Sequence, residues 1–326
     1  MKAVSFAQFG VPHEVVSVID APEPGAPKAG EVAIEFLCSP INPADLLLLA
    51  GNYGHRPALP ALGGLEGVGQ VTALGAGVSH LQVGDRVLLP GGNWAERMLA
   101  PAAGLFPLPA DAPSEQLAML TVNPPTAWGL LHDYVELKPG DWVIQNVGNS
   151  GVGTNLVVLA RRLGVKTVSV VRREASVAAL KELGADVVLV DGPDLGKRAR
   201  EAVAGGKLAL GIDAIGGEAT ARIGAALDDH GTVVNYGLMS GQNPQLGGWD
   251  VVFRGLRLAG FWLVHWFGRH PRGEIARVYG QLAGMLADGS IAVKIAARYP
   301  LSHAREALQH AAREGRDGKV VLVKET

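Results

Sequence analysis

Residues 143 to 164 read "VIQNVGNSGVGTNLVVLARRLG", and this stretch decides the fold. An apolar strand, Trp142 to Val147, runs into Gly148, Gly151 and Gly153, and a helical pattern starts at once. Glycines there permit a tight turn and a close backbone approach to a pyrophosphate, while the helix N-terminus offers unpaired N–H donors and a positive dipole end. The spacing is Gly-x-x-Gly-x-Gly, not the common Gly-x-Gly-x-x-Gly, so the signal rests on context: strand, turn, helix and second strand follow in the order a dinucleotide-binding unit needs. The competing reading is an ordinary strand-to-helix turn whose glycines serve packing.

From about residue 122 onward, short apolar strands alternate with helical segments: "DWVIQNV", "GTNLVVLARRLG", "KTVSVVR", "SVAALKELG", "DVVLVD" and onward through "LALGIDAIG", "GTVVNYG" and "LRLAGFWL". That alternation implies βαβ units and a parallel sheet. Up to about residue 110 the rhythm differs. Short β-branched runs such as "EVAIEFLC" and "GVGQVTALG", separated by Gly and Pro clusters, suggest an irregular antiparallel barrel or sandwich. The tail returns to one helix and one strand. The expected division is residues 1–122 with 268–326 as one discontinuous domain, and 123–267 as the other.

Composition narrows the function. The 326 residues carry a formal net charge of -2, so no basic field favours nucleic acid, and 48% hydrophobic content supports two cores. No apolar run approaches the roughly 18 to 20 residues of a membrane span. Cys38 is the only cysteine, which excludes an intramolecular disulfide framework and any zinc site built from several thiolates. The N-terminus reads as strand and turn, without the pattern of a signal or transit peptide. A cytoplasmic enzyme acting on a small molecule is expected.

The second strand of the βαβ unit bears on the cofactor. A carboxylate there would hold a ribose 2′-hydroxyl; "VSVVRRE" instead presents Arg172 and Arg173, whose guanidinium groups suit a 2′-phosphate. NADPH is favoured, against the alternative of two solvated arginines offset by Glu174.

These features together resemble the medium-chain dehydrogenase/reductase superfamily, and the likeness covers nearly the whole chain. It implies an α/β protein: a GroES-like irregular β-barrel catalytic domain plus a Rossmann doubly wound parallel sheet. Zinc-dependent members carry a Gly-His-Glu motif and a ligand cysteine before an aspartate. Here "GGLEGVG" has Leu65 in the histidine place with Glu66 kept, and "NPAD" has Asn42 in the cysteine place. No metal is expected, since imidazole and thiolate ligands are missing.

Within the zinc-free branches, "GNYG", "VNPPTA", "NSGVG" and "GFWL" together resemble the trans-2-enoyl-CoA / enoyl-[acyl-carrier-protein] reductases of the mitochondrial type. The resemblance implies hydride addition to Cβ of a 2-enoyl thioester, of CoA or of acyl carrier protein, and proton delivery to Cα. It implies Tyr53, in "GNYG", as the proton donor; a phenol of pKa near 10 holds its proton at neutral pH. It implies cofactor contacts from Asn123, from Asn149, Ser150, Gly151 and Val152, from Arg172 and Arg173, from Tyr236, Gly237, Leu238 and Met239, from Phe261, Trp262, Leu263 and Val264, and from Lys319. Each has a duller reading: Asn123 as a helix cap, Phe261 and Trp262 as core, Lys319 as a solvated strand-end charge. Arg254, Arg257, Arg269, Arg272 and Arg277 suggest a landing patch for a phosphate-bearing carrier, with ordinary surface charge as the competitor. "LRLAGFWL" as an edge strand would permit a homodimer. The nearest alternative is an NADPH:quinone oxidoreductase or a reductase of other α,β-unsaturated carbonyl compounds, with the same fold and cofactor.

Overall fold

The computed structural model describes residues 1–325. Two compact units emerge: Met1–Val122 with the chain from Tyr279 onward, and Asn123–Val278. The second change of unit falls inside the helix Arg272–Ala287, eleven residues later than the 268 that the rhythm suggested. The strand signal that set the expectation stops before this helix, and nothing local in an unbroken helix marks where its contacts change.

The first unit begins with seven strands: β1 (Lys2–Phe6), β2 (Val16–Asp20), β3 (Glu31–Pro40), β4 (Ala61–Leu62), β5 (Val68–Leu74), β6 (Arg86–Leu88) and β7 (Arg97–Pro101). β1 pairs antiparallel with β2 and β4, β3 with β5 and β7, and β5 with β6. Alternation sets the faces. In β3, Val32, Ile34, Phe36 and Cys38 point inward while Glu31, Ala33, Glu35 and Leu37 lie at intermediate exposure. Burial pushes the Cys38 thiol up to about 12, which makes it an inert core group.

The second unit holds β8 (Trp142–Gln145), β9 (Lys166–Val171), β10 (Val187–Val190), β11 (Leu208–Asp213), β12 (Thr232–Asn235) and β13 (Arg257–Gly260) in one sheet of order β10-β9-β8-β11-β12-β13. Every pairing in it is parallel. Helices between the strands cover both faces, so β8 is buried at every residue, apolar through Ile144 and closed by a hydrogen-bonded Gln145. The chain winds from β8 to one edge, then from β11 to the other. The switch point lies between β8 and β11, where ligands of such sheets bind beyond the strand C-termini.

Back in the first unit, β14 (Ile295–Pro300) and β15 (Lys319–Val323) complete a sheet of order β14-β15-β3-β5-β6, with β7 on β3. Phe6, Ile34, Phe36, Val71, Trp94, Leu308 and Leu322 share its core. Trp94 is fully buried, and its indole N–H donates to Ser39 Oγ at 2.9 Å.

Candidate active site

In the second unit the glycine turn forms a cradle at the end of β8. Ser150 caps the helix Gly151–Arg162, its hydroxyl accepting from the Gly153 amide at 3.0 Å. A methyl built on Gly153 would meet the carbonyl oxygens of Gly148 and Val147 at 2.5 and 2.7 Å, so only glycine fits. Asn123 opens the helix Asn123–His132 and lies beside this turn: a methyl on Gly151 would meet its Oδ1 at 2.9 Å.

A second loop faces the first. Tyr236 leaves β12 with its amide donating to the Asp213 carbonyl at 2.8 Å, and its phenol interacts with Ser150 of the glycine turn. Burial holds that phenol up at about 12. Leu238 and Met239 are 46% and 58% exposed, so the loop tip presents apolar surface to solvent. Gly237 sits tightly on Ala214, where a methyl would meet the carbonyl oxygen at 2.7 Å.

The remaining expected contacts of this unit divide. Arg172 and Arg173 directly follow β9 and are exposed, as is Glu174. Phe261 is buried: its ring would block a methyl on Gly129 at 2.6 Å, and its amide donates to the Asn235 carbonyl at 2.9 Å. Trp262 precedes the helix Leu263–Arg269 and stacks edge-on with His265 at 4.9 Å. Leu263 is half-buried and Val264 is 52% exposed.

The first unit carries Tyr53. The helix Pro43–Leu49 closes with the Asn52 amide on the Leu47 carbonyl at 2.8 Å and the Gly51 amide on the Leu48 carbonyl at 3.0 Å. Gly51 has φ +75°, the left-handed C′ position of a Schellman motif, whereas Gly54 does not adopt positive φ. Tyr53 follows two residues later, half-buried in the turn. His55 beside it is exposed.

At the start of the same helix lies a buried polar cluster that sequence reasoning missed. The Lys319 ammonium donates to Asn42 Oδ1 at 2.6 Å, Asn42 Nδ2 donates to Glu66 Oε1 at 2.6 Å, and the Val122 amide donates to Glu66 Oε2 at 2.8 Å. Asp45 accepts from the Asn42 amide at 2.8 Å, closing a capping box. Burial pushes the carboxyls of Asp45 and Glu66 up, to about 7 and about 8, and draws the Lys319 ammonium down. Asn42 and Leu65 stand where zinc-dependent members have cysteine and histidine. With an ammonium seated on Asn42 and no thiolate or imidazole, these residues do not fit a zinc ion. Lys319 is thus a buried cross-link of the first unit, not a solvated strand-end charge.

Residues 151–278 match a family described as zinc-binding dehydrogenase, and residues 28–110 match the alcohol dehydrogenase GroES-like domain. The mitochondrial enoyl-[acyl-carrier-protein] reductase of Caenorhabditis elegans is 38% identical over 288 residues, covering 86% of this chain and 83% of that protein. The one from Dictyostelium discoideum is 33% identical, covering 98% and 94%. Among solved structures, the Etr1p/NADP/crotonyl-CoA complex superposes with a TM-score of 0.87 at 27% identity, covering 99% of each chain. The Etr1p/Etr2p heterodimer from Candida tropicalis, a mitochondrial 2-enoyl thioester reductase, gives 0.86 at 29% with the same coverage. A mycobacterial quinone oxidoreductase gives 0.83 at 30%, again covering 99% of each. The chain belongs to the medium-chain dehydrogenase/reductase family, in the branch that holds the enoyl thioester reductases.

Proposed function

We propose that this chain, an enoyl thioester reductase, takes NADPH as its reductant and Tyr53 as its proton donor. The Schellman turn at Gly51 carries the reading, because it fixes the backbone from which Tyr53 projects. NADPH supplies a hydride for Cβ of the 2-enoyl thioester. Negative charge then develops on the thioester oxygen, so donors must meet that oxygen and an acid must reach Cα. Tyr53 gives its phenolic proton to Cα, and the phenolate regains one from water.

The family's nicotinamide cofactor fits the second unit, where a methyl on Gly153 would fill the cradle. Asn149 to Val152 would hold the pyrophosphate, Asn123 the nicotinamide end, and Tyr236 to Met239 with Phe261 to Val264 the walls. Exposed Arg172 and Arg173 support NADPH over NADH. An ammonium has three donors; the bond to Asn42 uses one, and Lys319 would turn another to the cofactor.

The partner is a second copy of the chain. β13 is a sheet edge, and Trp249, Val252, Phe253 and Leu258 beside it are 70%, 70%, 67% and 41% exposed. Acyl carrier protein is the carrier we favour beside CoA, docking on exposed Arg269 and Arg272. Arg254 takes no part, being engaged by Asp229 and Asp250. If replacing Arg269 and Arg272 by Ala leaves KM for acyl-carrier substrates unchanged, the patch is not used.

No helix among the described residues is long and apolar enough to cross a membrane. The curated relatives are named as mitochondrial, which does not fit a plain cytoplasmic expectation. Cell fractionation decides the compartment.

The quinone reading draws on the quinone oxidoreductase neighbour. NADPH oxidation measured against C4 to C16 enoyl-CoAs beside a quinone panel separates the two: turnover confined to quinones would overturn the enoyl reading.

A further inference from the structure

Behind both candidate cofactor loops sits one buried carboxylate. Asp213 ends β11 and is 0% exposed. Its Oδ1 accepts from Asn146 Nδ2 at 2.5 Å and from the Ile215 amide at 2.9 Å. Its Oδ2 accepts from Thr220 Oγ1 at 2.6 Å and Asn235 Nδ2 at 2.8 Å, and the Gly216 amide approaches both oxygens at 3.3 and 3.2 Å. The two asparagines are the last residues before the loops 147–152 and 236–239. Asn146 also accepts from the Ala214 amide at 2.8 Å, and Asn235 also donates to the Gly237 carbonyl at 3.0 Å. β8 and β11 flank the switch point of the sheet, so this carboxylate lies where the two halves of the winding part.

We infer that Asp213 is the positioning residue that holds the glycine turn and the Tyr236 loop in register for the cofactor; the inference rests on the cofactor reading above. Val147, the first residue of the glycine turn, has φ 51°, a left-handed backbone that a β-branched side chain adopts only when its surroundings over-determine it. The neighbouring Asn146 amide, clamped between Asp213 and Ala214, supplies that constraint. At the far side, the Tyr236 phenol interacts with Ser150 of the glycine turn. Every group on the carboxylate named here is a donor, so its two oxygens work as acceptors only. An amide in its place would aim N–H at one set of donors and release one loop.

The test uses the full chain, with NADPH titrated by fluorescence and KM measured for NADPH and for crotonyl-CoA. Asp213→Asn raises Kd and KM for NADPH on the order of 10-fold or more, and leaves KM for crotonyl-CoA near that of the parent. A merely structural role would lower the amount of active protein, and so the apparent kcat, with both KM values unchanged; that result overturns the inference. Should Asp213→Asn fail to fold, Asn146→Ala and Asn235→Ala carry the test, since each frees one loop and leaves the carboxylate its other donors. Unchanged NADPH affinity in both also overturns it. A parent chain that binds no NADPH would instead sink the cofactor reading, and the inference with it.

Discussion

Glu66 in the first unit and Asp213 in the second are both fully buried carboxylates, and the two units treat them differently. Glu66 accepts from the Asn42 amide, which in turn accepts from the Lys319 ammonium. Asp213 meets asparagine, threonine and backbone donors. One arrangement ties distant chain segments together. The other arranges loops that leave a sheet. The difference teaches that a dehydrated charge is tolerated either by a counter-charge or by saturating its lone pairs, and that the second choice leaves the surrounding backbone free to be shaped for a ligand.

The comparison breaks most visibly at the cradle. Gly153→Ala forces a methyl against two carbonyl oxygens, so NADPH affinity falls on the order of 100-fold, while thermal unfolding of the first unit is little changed; calorimetry beside titration checks both. Lys319→Met leaves the buried Asn42 Oδ1 without its donor, which costs about 1–3 kcal/mol of stability, read by denaturant unfolding. Adding Glu66→Gln to Lys319→Met should recover part of that loss. Unchanged stability in the single variant would contradict the cross-link. Replacing Arg172 and Arg173 by Ala lowers the preference for NADPH over NADH on the order of 10-fold, measured as the ratio of kcat/KM values. A preference that stays put would assign both arginines to solvent.

The smallest effect is a pH slope. Asp45 has its folded pKa raised to about 7 from 3.8, so its contribution is fully present below about pH 4 and is lost as pH rises toward about 7. Asp45→Asn keeps an acceptor for the Asn42 amide and removes this titration. The difference in Tm between parent and variant should therefore shift in the variant's favour from pH 4 to pH 8. A constant difference would contradict it.

Much of this was legible in the sequence because it is local. The parallel sheet shows in short, mostly apolar strands such as β8 alternating with helical segments. The glycine turn after β8 shows in glycines whose missing side chains are a steric demand. Tyr53 stood out only through the resemblance carried by "GNYG", and the structure adds that Gly51 beside it has a left-handed backbone. The polar clusters were not legible, because their partners are remote. Lys319 and Asn42 are 277 residues apart, and Asn146 and Asp213 are 67 apart. Neither pair leaves a periodicity. The change of unit at Tyr279 was missed for a related reason, since a helix can pass between two sets of contacts without altering its pattern. In "LALGIDAIGG", a lone aspartate ending an apolar strand before paired glycines was the available signal for Asp213.

The central claim is a reduction in which Tyr53 supplies the proton. Steady-state NADPH oxidation with crotonyl-CoA, measured for the parent and for Tyr53→Phe, tests it most directly. The account predicts a parent that turns over and a variant whose kcat falls on the order of 100-fold or more with NADPH affinity retained. Equal rates in the two proteins would contradict it.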